Sequence, residues 1–232
     1  MRAPIVFLLS LLFSLACFAA DPRLDAVFQR MDKAAATFKG FTADLEKIDR
    51  TGGSLLEATD KGIGTIAVRK SGPHNVQALE TFATQNGEPD GEQMEFSATR
   101  FSVYRPKANT ATDYDLAKKY RGIEQAALAL LGGSSKDLLQ DYRVAYGGPD
   151  KINGEPATRL ALEPKDPQLA QMFPKIDVWI SDATGIAVQE KFREKGDIDY
   201  HIQTYSNMQF GNVSESQVKM NLPKNVKHEH PK

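Results

Sequence analysis

Apolar residues spaced two apart mark most of this chain as strand. The clearest run lies between residues 175 and 222. There Ile176, Val178 and Ile180 alternate with Asp177, Trp179 and Ser181, and side chains two apart share one face of a strand. Asp182-Ala-Thr-Gly185 and Lys195-Gly196 read as turns between strands at 186–194 and 197–205, and Val218, Met220 and Leu222 continue the alternation. The pattern predicts an antiparallel meander with one oily and one wetter face, whose oily face must be buried against another element.

The rest of the pattern supplies that element and more strands. Asp21-Pro22 opens a helix, with Asp as cap and Pro at the first helical position. Leu24, Val27, Phe28, Met31, Ala35 and Phe38 recur at spacings of three and four, an amphipathic stripe that Gly40 ends. Strands are expected at 41–51, 55–59, 62–70 and 75–84, a loop at 86–92, two strands carrying Met94, Phe96, Phe101 and Val103, and an undecided segment at 107–121. Residues 122–131, with Leu128, Leu130 and Leu131, favour helix, and Gly132-Gly133 stops it. Ser134 or Ser135 caps a second short helix through Leu139; strands follow at 142–146 and 158–162, with a loop at 147–154 and a helical turn within 164–173. The tail from Lys224 is polar and reads as frayed. The sum is an α+β chain: one antiparallel sheet of about ten or eleven strands, which at that width curls into a half-barrel, with helices plugging its concave apolar face.

Residues 1–20 read as a secretory signal, with Arg2 at its start, an apolar run from Ile5 to Leu15 and small residues after it. That run is too short to span a bilayer. Cleavage is expected near Ala19 or Ala20, so residues 21–232 form a single domain. Lipid anchoring at Cys17 is the lesser reading, because Ser14 stands where such signals carry Leu. Cys17 is the sole cysteine, so the cleaved chain has no thiol. With 29 Lys and Arg against 30 Asp and Glu, the charge balance suggests neither nucleic acid nor an anionic membrane surface.

No enzyme signature stands out, so a binding or carrier role outranks catalysis, and no cofactor is expected. Of the four histidines, His74 and His201 read as surface or half-buried, and His228 and His230 as part of a solvated tail, so no metal site is expected. Glu190 and Glu194 read as a solvated strand face, and no compact polar cluster is visible for the interior. Lys70 shares the face of Ile66 and Val68 by alternation. One account is that it snorkels to water from the strand end; the sharper one is that it lines the mouth of a cavity.

Four stretches then resemble the periplasmic outer-membrane lipoprotein carrier family, the LolA-like proteins. They are the helix through Met31-Asp32-Lys33 to Phe38 followed by Phe41-Thr42-Ala43; Gly64-Thr-Ile-Ala-Val-Arg-Lys70; Leu128 to Leu139; and the meander from Ile176 to Pro223. The resemblance implies a half-barrel with a helical lid that binds the acyl chains of lipoproteins and carries them, as a monomer, from an inner-membrane releasing transporter to an outer-membrane acceptor. On that reading Met31, Phe38, Ile66, Val68, Phe96, Phe101, Val103, Leu128, Leu131, Ile176, Val178 and Ile180 line the lipid-binding cavity. Arg69 and Lys70 stand where the family places a lid-holding arginine followed by proline; here the order is Arg69-Lys70-Ser71-Gly72-Pro73, and lysine lacks the planar fork of arginine. The alternative is a related lipid-binding or envelope-stress sensor module that acts through a protein partner.

Overall fold

The computed structural model describes residues 21–53, 56–72, 75–97, 99–115, 130–196 and 198–230. The N-terminal helix α1 (Pro22–Thr37) starts as expected: the Asp21 side chain accepts from the Arg23 amide. The strands are β1 (Gly40–Gly53), β2 (Leu56–Gly72), β3 (Asn75–Gln85), β4 (Glu88–Pro89), β5 (Gln93–Phe96), β6 (Arg100–Arg105), β7 (Thr110–Asp115), β8 (Tyr142–Ile152), β9 (Glu155–Pro164), β10 (Lys175–Ser181), β11 (Ala187–Arg193), β12 (Tyr200–Phe210) and β13 (Lys227–Glu229). Two short helices, α2 (Ser135–Asp141) and α3 (Pro167–Met172), and 3-10 turns at Pro106–Ala108 and Glu215–Val218 complete the described elements. Ser134 caps α2 in a reciprocal arrangement with Asp137, and Asp166 caps α3.

All thirteen described strands belong to one curled, unclosed sheet in the order β13-β7-β6-β5-β3-β2-β1-β12-β11-β10-β9-β8, with β4 paired to β3 off this path. Among the described residues, pairing is antiparallel except between β13 and β7. One side of the sheet packs against the helices in two clusters. Val27 and Met31 of α1 join Tyr142, Leu160, Leu162, Ile176, Val178 and Ile180. Phe41, Leu45, Ile66, Val68, Phe82 and Tyr205 form the second cluster, with Ala34 of α1 and Phe38, just past its end, against it.

The structure corrects several expectations. The segments at 55–59 and 62–70 are one long strand, β2, apart from Leu55, which lies outside the described residues. The loop expected at 147–154 is mostly strand, because β8 continues to Ile152 through a register shift between Tyr146 and Gly148. Residues 218–222 are not a strand. A 3-10 turn over Glu215–Val218 occupies their start, and the Met220 amide donates to the Glu95 carboxylate at 2.9 Å, not to a sheet neighbour. The tail is not wholly frayed, since Lys227–Glu229 pairs with β7. Nor is the second face of β10 wet: Asp177, Trp179 and Ser181 are all buried. Asp177 pairs with Arg193 at 2.9 Å, and the Trp179 indole donates to Asp150 at 2.8 Å. The helix expected over 122–131 lies outside the described residues except for Leu130 and Leu131, both buried.

Candidate functional site

The concave face beneath α1 is laid out by strand register, since directly opposed residues of paired strands share a face. One row runs Phe41, Val68, Ala78, Phe96, Phe101 and Tyr114 across β1, β2, β3, β5, β6 and β7. At its far end the rings stack, Phe96 on Phe101 at 4.9 Å and Phe101 on Tyr114 at 5.6 Å between centroids. The next row runs Ala43, Ile66, Glu80, Met94 and Val103. On the other wing Leu160, Val178 and Glu190 lie opposite one another across β9, β10 and β11.

Of the residues expected to line a cavity, Phe38, Ile66, Val68, Phe96 and Leu131 meet in the second cluster, with Phe101 stacked on it. Met31, Ile176, Val178 and Ile180 meet in the first. Val103 is buried opposite Met94. Leu128 lies outside the described residues. At the C-terminal end of α1 a hollow of about 320 Å³ is bordered by Ala34, Phe38, Ile186 and Phe210, and Phe210 is one of the exposed large apolar side chains.

Side-chain contacts fasten α1 over this face. Lys70 Nζ donates to the Ala35 carbonyl at 3.2 Å, so it does reach the helix from the strand that carries Ile66 and Val68. Arg69 points elsewhere and donates to Gln77 Oε1 at 3.1 Å. Sequence reasoning missed the other fasteners. Arg30 of α1 donates to Asp182 at 2.8 Å and to Thr158 at 3.2 Å. Asp32 accepts from the Ser135 amide and hydroxyl at 2.7 and 2.8 Å, tying α1 to the start of α2. Arg23 lies 4.6 Å from the Tyr146 ring centre. The Asp-x-x-Gly turn abuts α1 so closely that a Cβ on Gly185 would sit 2.5 Å from the Arg30 carbonyl oxygen. The polar, outward-looking residues of α1 and the acidic turn were legible as types, but their meeting depends on tertiary placement.

The interior is not uniformly apolar. Glu190, expected on a solvated face, is fully buried, and Glu80 is 4% exposed. Glu80 alternates with Ala78 and Phe82, both core residues, a period-2 signal that could have placed it inside. Burial pushes the Glu80 carboxyl up to about 7, against the pull of Lys47 and with repulsion from Asp49 and Glu92. Burial, with the Glu80 charge adding to it, holds Glu190 well above the usual carboxylate range. Nearer the strand ends, His201 lies between Asp49 at 2.7 Å and Glu194 at 2.9 Å. The Asp49 hydrogen bond leads the causes that raise its pKa. Among the described residues no group of His, Cys, Asp and Glu is arranged to hold a metal ion, and no helix is long and apolar enough to cross a membrane.

No family model and no curated protein matches the sequence. Solved structures do match in fold. An uncharacterized conserved protein from Thermus thermophilus aligns with a TM-score of 0.56 at 10% identity, over 90% of this chain and 99% of that one. A putative outer membrane lipoprotein-sorting protein domain from Vibrio parahaemolyticus aligns at 0.46 and 12% identity, over 83% and 94%. The fold is shared with the Thermus thermophilus protein. MucB aligns at 0.48 and 14% identity; the alignment takes in 87% of this chain and 64% of MucB, less than two thirds of its length. At these identities the likeness is one of fold, and function is argued from the residues of this chain.

Proposed function

We propose that this protein is a periplasmic carrier that binds the acyl chains of lipoproteins between α1 and the concave face of the sheet. On this reading it takes them from an inner-membrane releasing transporter and delivers them to an outer-membrane acceptor, after export by the signal at residues 1–20. The observation that carries the reading is the fastening of α1. Its underside covers two apolar clusters, while contacts at its edges hold it in place: Lys70 to Ala35, Arg30 to Asp182, and Asp32 to Ser135. Each buried CH₂ of an acyl chain is worth about 0.8 kcal/mol, whereas one such polar contact is worth about 1 kcal/mol. A few methylenes entering under the helix therefore offset the loss of one fastener, which is the balance a loading and unloading carrier requires.

Native mass spectrometry with lipid extraction, on protein purified from its own cell envelope, tests the reading. Bound acylated protein or phospholipid is the expected result. A ligand-free mass, together with no uptake of a fluorescent acyl probe, would overturn it.

A further inference from the structure

The carboxyls of Glu80 and Glu190 are the least expected groups in the fold. Both oxygens of Glu190, Oε2 of Glu80 and the hydroxyl of Tyr142 are buried without a hydrogen-bond partner among the described residues. Register places these carboxyls on the concave face: Glu80 is opposite Ile66 and Met94, and Glu190 is opposite Val178. Tyr142 belongs to the same core cluster as Val178. These groups sense one another. The Glu80 charge acts on Glu190, Glu190 acts on Tyr142, and both carboxyls act on Tyr205, whose hydroxyl donates to Gln203 at 2.9 Å. The other charged groups acting on Glu80 are Lys47, Asp49 and Glu92. Lys47 is paired with Asp49 at 3.3 Å, and Glu92 with Arg105 at 3.0 Å.

Packing does not account for this arrangement. A buried carboxyl without a partner costs stability that an apolar residue of similar size would not. Even in its neutral form each acid keeps acceptor capacity that nothing in the described chain meets. The unmet need is for hydrogen-bond donors, on a face that carries apolar Ile66, Met94 and Val178 beside polar Gln203 and Lys47.

We propose that Glu80 and Glu190, with Tyr142 beside Glu190, form an interior site for the ammonium group of a long-chain amine whose hydrocarbon tail lies along the apolar rows of the concave face. The proposal rests on the reading that this face takes hydrocarbon chains, and it adds a head-group chemistry to it. An ammonium offers three donors and a full positive charge, and buried charges are tolerated when paired and hydrogen-bonded. A carboxyl that holds its proton while the site is empty surrenders it when the cation enters, so binding is accompanied by proton release.

Lipid-stripped protein loaded with diphenylhexatriene, a neutral apolar probe, is titrated with dodecylamine and with dodecanol at pH 7. Dodecylamine is expected to displace the probe at a concentration about tenfold or more below that of dodecanol. The Glu80→Gln/Glu190→Gln variant is expected to keep the probe and lose the preference. The two single variants, each expected to lose part of it, serve if the double variant does not fold. Calorimetry in buffers of different ionisation enthalpy should show proton release with the amine and none with the alcohol. Equal displacement by the two ligands, or a preference that survives in the variants, overturns the amine site and leaves the carrier reading standing. Failure of the wild-type protein to take up diphenylhexatriene overturns both.

Discussion

Replacing Glu80 with glutamine should flatten the pH dependence of stability. In the folded chain this carboxyl titrates near 7 where an ordinary glutamate titrates at 4.5, because burial disfavours its charge. Across that interval the folded protein holds a proton that the unfolded chain has released, so stability falls as pH rises. The stability is fully present below 4.5 and lost as pH passes through about 7. At 1.36 kcal/mol per pH unit the loss reaches about 3 kcal/mol. The side chain is 4% exposed, so solvent screening takes little from that figure. Glutamine keeps the shape and cannot ionise. Urea unfolding of both proteins in steps from pH 4.5 to 8 should give near-equal stabilities at the acid end and a variant more stable by up to about 3 kcal/mol above pH 7. The raised pKa of His201 is common to both proteins and cancels in the difference. A difference that stays within about 0.5 kcal/mol at every pH, or that runs the other way, would refute the assignment of Glu80 to a desolvated interior.

Three further variants test contacts of the fold. Lys70→Leu removes the bond to the Ala35 carbonyl and should cost about 1 kcal/mol, while stopped-flow uptake and release of an acyl probe both quicken; unchanged transfer rates in a normally folded variant would remove Lys70 from the fastening of α1. Gly64→Ala would place a Cβ 2.0 Å from the Thr81 carbonyl oxygen and should cost about 3 kcal/mol or more in urea unfolding. Gly87→Ala, with nothing within 4 Å but a φ of +82°, should cost about 1 kcal/mol, and equal losses at the two sites would contradict the close approach of β3 to β2.

The sheet was readable because its face assignment is written in a local period. Ile66, Val68, Ile176, Val178 and Ile180 fall on the concave face that their alternation predicted, and Asp21 and Ser134 cap the helices they precede. Where the period misled, a non-local competitor decided. Val218, Met220 and Leu222 alternate as a strand would, yet β1 is already paired on both edges, and a 3-10 turn and a carboxylate bond take that segment. Residues 227–229 show no apolar pattern and became strand because the outer edge of β7 accepted them. The candidate site was legible in its apolar part and, at Glu80, in the alternation with Ala78 and Phe82. Glu190 reads as solvated beside Gln189 and Lys191, yet Phe192, two positions on, shares its face and packs on the core, and Val178 lies opposite. The fasteners of α1 other than Lys70 join residues more than a hundred positions apart, beyond the reach of spacing.

Among the described residues the linear strand order leaves the sheet two rims, and neither is a long unbroken strand. At one rim the last strand is only three residues long and runs parallel to its neighbour, too short to template another chain. At the other, β8 is interrupted by the shift between Tyr146 and Gly148, and Pro149 behind it has no amide hydrogen to donate. Wide flat sheets grow by adding strands to long unbroken rims. Among the described residues this sheet keeps its rims short or irregular, so it leaves no long unbroken ladder of free amides at its borders.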